Sequence, residues 1–257
     1  MQAHRLPTSR GWAWLREGFL LWRRNPALLT FASFGYLLML VVVSTLPLVG
    51  QPIASLLMPV FSLGVLNTCR AIDEGRKVGP DILFSGFKQN PRALVSIGGI
   101  YLIGSLLVLF LTSLADDGLL LRVMTAGERL DPEAANQPGF TLALLIAIAL
   151  STPVMMAYWF APLLAGWWNI SAPKAMFFSF VACLRNWRPF LAYGIALAFV
   201  CAILPGILIG TMSLVSPTLG ALLSVPLPLL VIPLVFASFY VNARDVFNEL
   251  QDDEAPD

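Results

Sequence analysis

ALVSIGGIYLIGSLLVLFLTSLA, residues 93–115, holds no Asp, Glu, Lys or Arg over its whole length. A helix needs roughly 20 apolar residues to cross about 30 Å of hydrocarbon, and this run supplies them. Five more stretches of the same kind lie on either side of it, at 27–46, 52–69, 140–166, 190–212 and 219–241. The second is the shortest and carries Pro52 and Pro59. The chain as a whole is 58% hydrophobic and 12% charged, with a mean hydropathy of +0.78. Ordinary globular chains are about 25% charged, so a water-soluble domain is excluded. The expected fold is all-α, a six-span transmembrane helical bundle forming one integral membrane domain over 1–257.

The charges sort by side. The sixteen Lys and Arg and the fifteen Asp and Glu all fall outside the six stretches. The segment before the first span carries Arg5, Arg10, Arg16, Arg23 and Arg24. The loop after the second carries Arg70, Arg76, Lys77, Lys88 and Arg92. The loop after the fourth carries Lys174, Arg185 and Arg188 with no acid, and Arg244 follows the sixth. The loop between spans three and four has the opposite sign, with Asp116, Asp117, Glu128, Asp131 and Glu133 against Arg122 and Arg129. The positive-inside rule counts Lys and Arg near span ends and places both termini in the cytoplasm. Residues 1–26 then form a cytoplasmic or interfacial segment, 27–241 the six spans, and 242–257 an acidic cytoplasmic tail. The first apolar stretch is too long for a signal-peptide core, and no small-x-small site follows it.

A two-helix unit repeats three times in this reading. GFLLWRRNPALL (18–29), SGFKQNPRALV (85–95) and ACLRNWRPFLA (182–192) are aromatic and basic, and each places a proline at the start of an outgoing helix, where its missing N–H costs nothing. The returning helices carry Pro52, Pro59 and Asn67; Pro153, Pro162 and Asn169; and Pro226, Pro233 and Asn242. An interior proline removes a hydrogen bond and presses on the carbonyl four residues back. Pro59, Pro162 and Pro233 are therefore the candidate kink or pathway residues. The kinked helices are expected to face the protein interior, because loosened carbonyls in hydrocarbon need a partner.

GWAWLREGFLLWRR (11–24) reads as an amphipathic helix lying in the membrane interface, with Trp12, Leu15, Phe19 and Trp22 on one face and Arg16 and Arg23 at its flank. Residues 81–88 and 174–187 read as further interfacial elements. Tryptophan at headgroup depth and arginine reaching toward phosphate suit such a position. Trp12, Arg16, Trp22, Arg23 and Arg24 are the candidate lipid-contact residues. Anchoring of the spans and selective contact with anionic phospholipid both remain open for them.

Most familiar chemistry has nothing to build on. His4 is the one histidine, the cysteines Cys69, Cys183 and Cys201 have no metal or disulfide spacing, and no phosphate-binding glycine loop occurs. No catalytic, cofactor or metal residue is expected, and no nucleic-acid partner. Ser44, Thr45, Ser62, Ser105, Ser151, Thr152 and Thr211 read as packing or hydrogen-bonding residues within spans, and Gly98, Gly104, Gly194 and Gly210 as close-contact positions.

GWAWLREGFLLWRRNP, DEGRKVGPDILFSGFKQNP and FASFYVNARDVF resemble a family of polytopic proteobacterial inner-membrane proteins without an assigned activity. The chain is also similar, more loosely, to the membrane region ahead of some bacterial glycerophosphodiester phosphodiesterases, with the catalytic domain missing. The resemblance implies an inner-membrane location and no functional residue. The expectation is a non-catalytic inner-membrane protein, not an enzyme, that organises lipid or a membrane partner. The alternative is a carrier or channel for a neutral or amphipathic solute, with the kinked helices lining a path.

Overall fold

The computed structural model describes residues 4–126, 130 and 136–247. Glu128, Arg129, Asp131, Glu133 and most of the acidic tail lie outside the described residues. Those described are helices and connections, with no strand among them. Helix α1 (Arg10–Arg24) precedes the first span, α2 (Pro26–Ser44). Then come α3 (Gly50–Asp73), a 3₁₀ helix (Pro80–Lys88), α4 (Pro91–Asp116) and a short α5 (Leu119–Ala126). The fourth span is α6 (Pro138–Trp159) continued by α7 (Ala161–Trp167), and α8 (Ala172–Arg185) follows it. The fifth joins α9 (Trp187–Ala198), a π turn (Phe199–Ile203) and α10 (Leu204–Val215), and the sixth joins α11 (Pro217–Ser224) to α12 (Leu227–Val246). All six apolar stretches become helices long and apolar enough to span a membrane.

Two of the three outgoing helices start at the proline the sequence singles out, Pro26 and Pro91, whereas α9 starts at Trp187, two residues before Pro189. Asn25 caps α2 by accepting from the Leu28 N–H at 3.2 Å, with Pro26 in the first turn. The sixth span runs to Val246, beyond the expected limit at 241, and Asn242, Ala243, Val246 and Phe247 are buried rather than part of a tail. The core gathers at the end of the bundle that carries the basic residues, around Trp14, Leu63, Leu94, Phe160, Leu164 and Phe247. Toward the opposite end, large side chains such as Ile103, Leu114, Leu145, Ile195 and Ile207 are exposed. Contiguous apolar surface of that extent suits hydrocarbon, not water.

The returning helices do not all face the interior. In their most apolar stretches α3 is 61% buried, but the fourth and sixth spans are only 11% and 17% buried, less than the outgoing first and third at 22% each though more than the outgoing fifth at 6%. Breaks explain this. The fourth span interrupts at Phe160 and the sixth at Val225–Pro226, so only their basic-end segments join the core.

The breaks are satisfied chemically. At Phe160 the Ser179 hydroxyl of α8 inserts into the helix ladder: it accepts from the Phe160 N–H at 2.8 Å and donates to the Met156 carbonyl at 2.7 Å. The pair it separates is the i, i+4 pair of a continuous helix, two residues before the Tyr158 carbonyl expected to be freed by Pro162. Pro59 takes the donor from the Ser55 carbonyl, and Gly98 of α4 approaches there so closely that a Cβ would lie 2.6 Å from that oxygen. Pro205, just past the π turn, removes the donor that Cys201 would have had.

Small residues dock the lead-in segments. A Cβ on Gly64 of α3 would overlap the Leu83 carbonyl, and one on Gly86 would overlap the Val60 carbonyl, so the 3₁₀ helix lies backbone to backbone on α3. In α1, a Cβ on Gly11 would meet the Pro189 carbonyl at 2.5 Å and one on Gly18 the Ser238 nitrogen at 2.6 Å. A Cβ on Gly194 or Gly210 would meet no other helix within 4 Å, so neither is a close-contact position.

Candidate functional site

Helix α1 has two faces of opposite character. Gly11, Trp14, Leu15, Gly18 and Leu21 recur at helical spacing and are buried against α9 and α12. Trp12, Arg16, Phe19, Leu20 and Arg23 are exposed and share the opposite arc. Leu15 therefore leaves the face on which the sequence placed it. Trp22 is half-buried and donates its indole N–H to the Thr30 hydroxyl at 3.2 Å. Trp12 is 56% exposed, and Arg23 stacks over the Phe19 ring at 6.0 Å. Of the five candidate lipid-contact residues, Trp12, Arg16 and Arg23 thus form one outward surface.

Arg24 belongs to a different group. It donates to Asp73 at 3.0 Å, where α3 ends. Asp73 also accepts from Arg244 at 2.6 Å and from the Tyr240 hydroxyl at 3.2 Å. Arg244 reaches Glu17 at 3.3 Å, Glu17 pairs with Arg10 at 3.0 Å, and Arg10 and the Trp14 indole both donate to Asp245. Three arginines and three acids thereby join α1, α3 and α12 in one charge-balanced chain. Burial alone would lower the Arg10 pKa, but the hydrogen bond and charge of Asp245, backed by Glu17, raise it above its ordinary value. Sequence reasoning missed the roles of Glu17, Asp73 and Asp245. The available signal was that each is an acid within a predominantly basic end.

The three asparagines of the returning helices take three different roles. Asn67 donates to Ser85 at 2.7 Å and Gln89 at 3.0 Å, and accepts from the Trp167 indole at 2.7 Å. Asn169 sits in left-handed backbone at φ 51°. Asn242 is fully buried, and neither amide atom has a protein partner.

Among the candidate pathway prolines, Pro162 lines a cavity of about 300 Å³ inside the bundle. Pro59 and Pro233 do not line it, although their neighbours Met58, Ser62, Val235 and Phe236 do. Tyr36, Tyr101, Tyr158 and Tyr193 bring phenol rings into the wall, so all six spans contribute. A second, apolar crevice of about 540 Å³ lies between α6 and α9 and shares Met155 and Trp159 with the cavity. Cys183 of α8 lines this crevice, and burial pushes its thiol up to about 12, partly offset by the neighbouring Ser179 side chain. Among the described residues, no three of His, Cys, Asp and Glu gather where a metal ion could bind.

A probable inner membrane protein of Burkholderia thailandensis is 36% identical over 267 residues, an alignment that takes in 100% of this chain and 97% of that protein. No family model and no solved structure matches the chain. With its six apolar helices, the chain belongs to that family of multi-pass proteins of the bacterial inner membrane.

Proposed function

We propose that this inner-membrane protein is a non-catalytic organiser of lipid, gathering anionic phospholipid, or a membrane partner, around its basic end, and that this end faces the cytoplasm. The observation that carries the reading is the outward arc of α1. Its inner face is fixed to α9 and α12, and the ion-paired chain holds its flank, so Trp12, Arg16, Phe19 and Arg23 stand preformed at one edge. No ion pair in the structure engages Arg16 or Arg23 among the described residues, and aromatic rings beside free guanidinium groups suit headgroup depth.

Each basic residue near an anionic surface contributes about 1 kcal/mol, so the two arginines together favour anionic lipid by about thirtyfold at low salt. The test is quenching of tryptophan fluorescence by brominated anionic phospholipid in mixed vesicles. R16Q/R23Q is expected to lose the preference for brominated anionic over brominated neutral lipid. Equal quenching by both lipids in the wild type would overturn the reading.

The internal cavity favours a second reading, a carrier for a neutral or amphipathic solute. Under that reading P59A, P162A and P233A lose flux in reconstituted vesicles while remaining folded. An organiser tolerates P162A without losing its lipid preference.

A further inference from the structure

The crevice between the fourth and fifth spans does not depend on the outward arc of α1. Its walls are Ile148, Ser151, Thr152 and Met155 on α6, with Trp187, Phe190 and Leu191 on α9. The two helices do not pack closely along this length. They meet where the Phe190 ring lies edge-on to Trp159 at 5.7 Å and to Phe160 at 5.8 Å. From Trp159 to Ile148 the helix rises on the order of 16 Å, about half of a 30 Å hydrocarbon core. The α6 wall of the groove therefore has the length of one leaflet, and α9 faces it over its first turn, Trp187 to Leu191.

Its chemistry is graded along that length. The deep part is almost wholly apolar, and the Thr152 hydroxyl there is already committed to the Ile148 carbonyl at 2.7 Å. At the level of Phe190, the Trp159 indole N–H is buried without a hydrogen-bond partner. A buried donor left unsatisfied costs about 1–3 kcal/mol, and no protein group in the wall relieves it. At the Trp187 wall of the crevice, Arg188 stacks over the indole ring at 5.4 Å, and Arg185 is an exposed residue at the end of α8, two positions past Cys183. No acid lies anywhere between 172 and 190, and among the described residues neither arginine is engaged in an ion pair. The crevice thus combines an apolar length, a buried unpartnered donor on one of its lining residues and a cation stacked on another.

We propose that this crevice is a discrete site for a single anionic phospholipid of the leaflet at the basic end. The phosphate sits on Arg185 and Arg188, an ester carbonyl accepts from the Trp159 indole, and one acyl chain fills the groove down to Ile148. Occupancy fills the gap between spans that otherwise pack only sparsely. The proposal rests on the lipid reading above but uses none of the α1 residues, so the two can fail separately.

The test is native mass spectrometry of the protein released from nanodiscs of phosphatidylglycerol mixed with phosphatidylcholine. The wild type is expected to retain one phosphatidylglycerol in preference to phosphatidylcholine. R185Q/R188Q should lower that occupancy about tenfold or more, and T152W, which fills the groove and leaves both arginines in place, should also release the lipid. R16Q/R23Q should leave it bound. W159F removes the donor while keeping a ring, and should weaken retention without unfolding the protein. Retention unchanged in both R185Q/R188Q and T152W would overturn the crevice site. Loss only in R16Q/R23Q would overturn it too while sparing the lipid reading, and equal retention of phosphatidylcholine would remove the anionic assignment.

Discussion

Replacing Ser179 by Ala removes one hydroxyl and leaves two buried backbone groups to find other partners. The Ser179 side chain is fully buried, and its oxygen is the sole bridge between the Phe160 N–H and the Met156 carbonyl. If both groups stayed unsatisfied, the cost would be about 1–3 kcal/mol for each. They are, however, an i, i+4 pair, and straightening the helix lets them bond directly at the expense of the kink and of Trp159 packing. The expected net loss is about 2 kcal/mol. That exceeds the roughly 0.6 kcal/mol averaged for hydrogen bonds between membrane helices, because this hydroxyl serves both ends of a broken ladder. Reversible unfolding in mixed micelles of nonionic detergent and SDS, followed by tryptophan fluorescence, measures it. Ser96→Ala is the control: Ser96 is exposed and bonds only the Arg92 carbonyl of its own helix at 2.8 Å, so its change should stay within about 0.5 kcal/mol. A loss for Ser179→Ala no greater than that of the control would refute the bridging role.

Three other perturbations test the packing of the basic end. Asp73→Asn strips the carboxylate from Arg244, whose side chain is only 26% exposed, and should cost about 2–3 kcal/mol in the same unfolding assay. Arg24→Gln, at a side chain 58% exposed, should cost less than about 1 kcal/mol; equal losses would contradict the assignment of Asp73 as the centre of the network. Gly64→Ala forces a methyl into the Leu83 carbonyl and should destabilise by more than about 2 kcal/mol, with faster proteolysis within 80–88; wild-type resistance would mean the 3₁₀ helix does not lie there. In C69A/C201A, Cys183 should react with iodoacetamide about a thousandfold more slowly at pH 8 than an ordinary thiol, since its pKa near 12 leaves little thiolate. Because burial raises this pKa, the thiol's contribution to stability is full below the ordinary thiol range and is lost as pH climbs toward 12. A rate like that of free cysteine would place Cys183 at the surface.

The spans were legible because hydropathy needs no tertiary context. Residues 93–115 already mark the body of α4 (Pro91–Asp116). The helix starts were legible for a similarly local reason, since Pro26 and Pro91 sit where a first-turn donor is not needed. Helix α1 was half legible. Its period is clear, but aromatics occupy both faces, so sequence could not tell that Trp14 is buried and Trp12 exposed. Counting charges by side gives an expected orientation, yet it treats each loop as a sum and hides that Asp73 is shared by Arg24 and Arg244. The Ser179 bridge left no local signal, because its partners are backbone atoms about twenty positions away. The expectation that every kinked helix turns inward holds around Pro59, Pro162 and Pro233, which are buried, but not along the whole of the fourth and sixth spans, because a break in a span lets its two halves part. The three-unit repeat is a proposal whose check is superposition of the hairpins, and the differing roles of Asn67, Asn169 and Asn242 set what it has to accommodate.

The central claim is that this membrane protein gathers anionic lipid and does not carry a solute. Native mass spectrometry of the wild-type protein, gently extracted from its own membrane, tests it most directly. The account expects retained anionic phospholipid that survives dilution and is not displaced by small molecules. A retained small solute, displaced by an excess of itself and present without bound anionic lipid, would contradict it and make the cavity beside Pro162 a transport site.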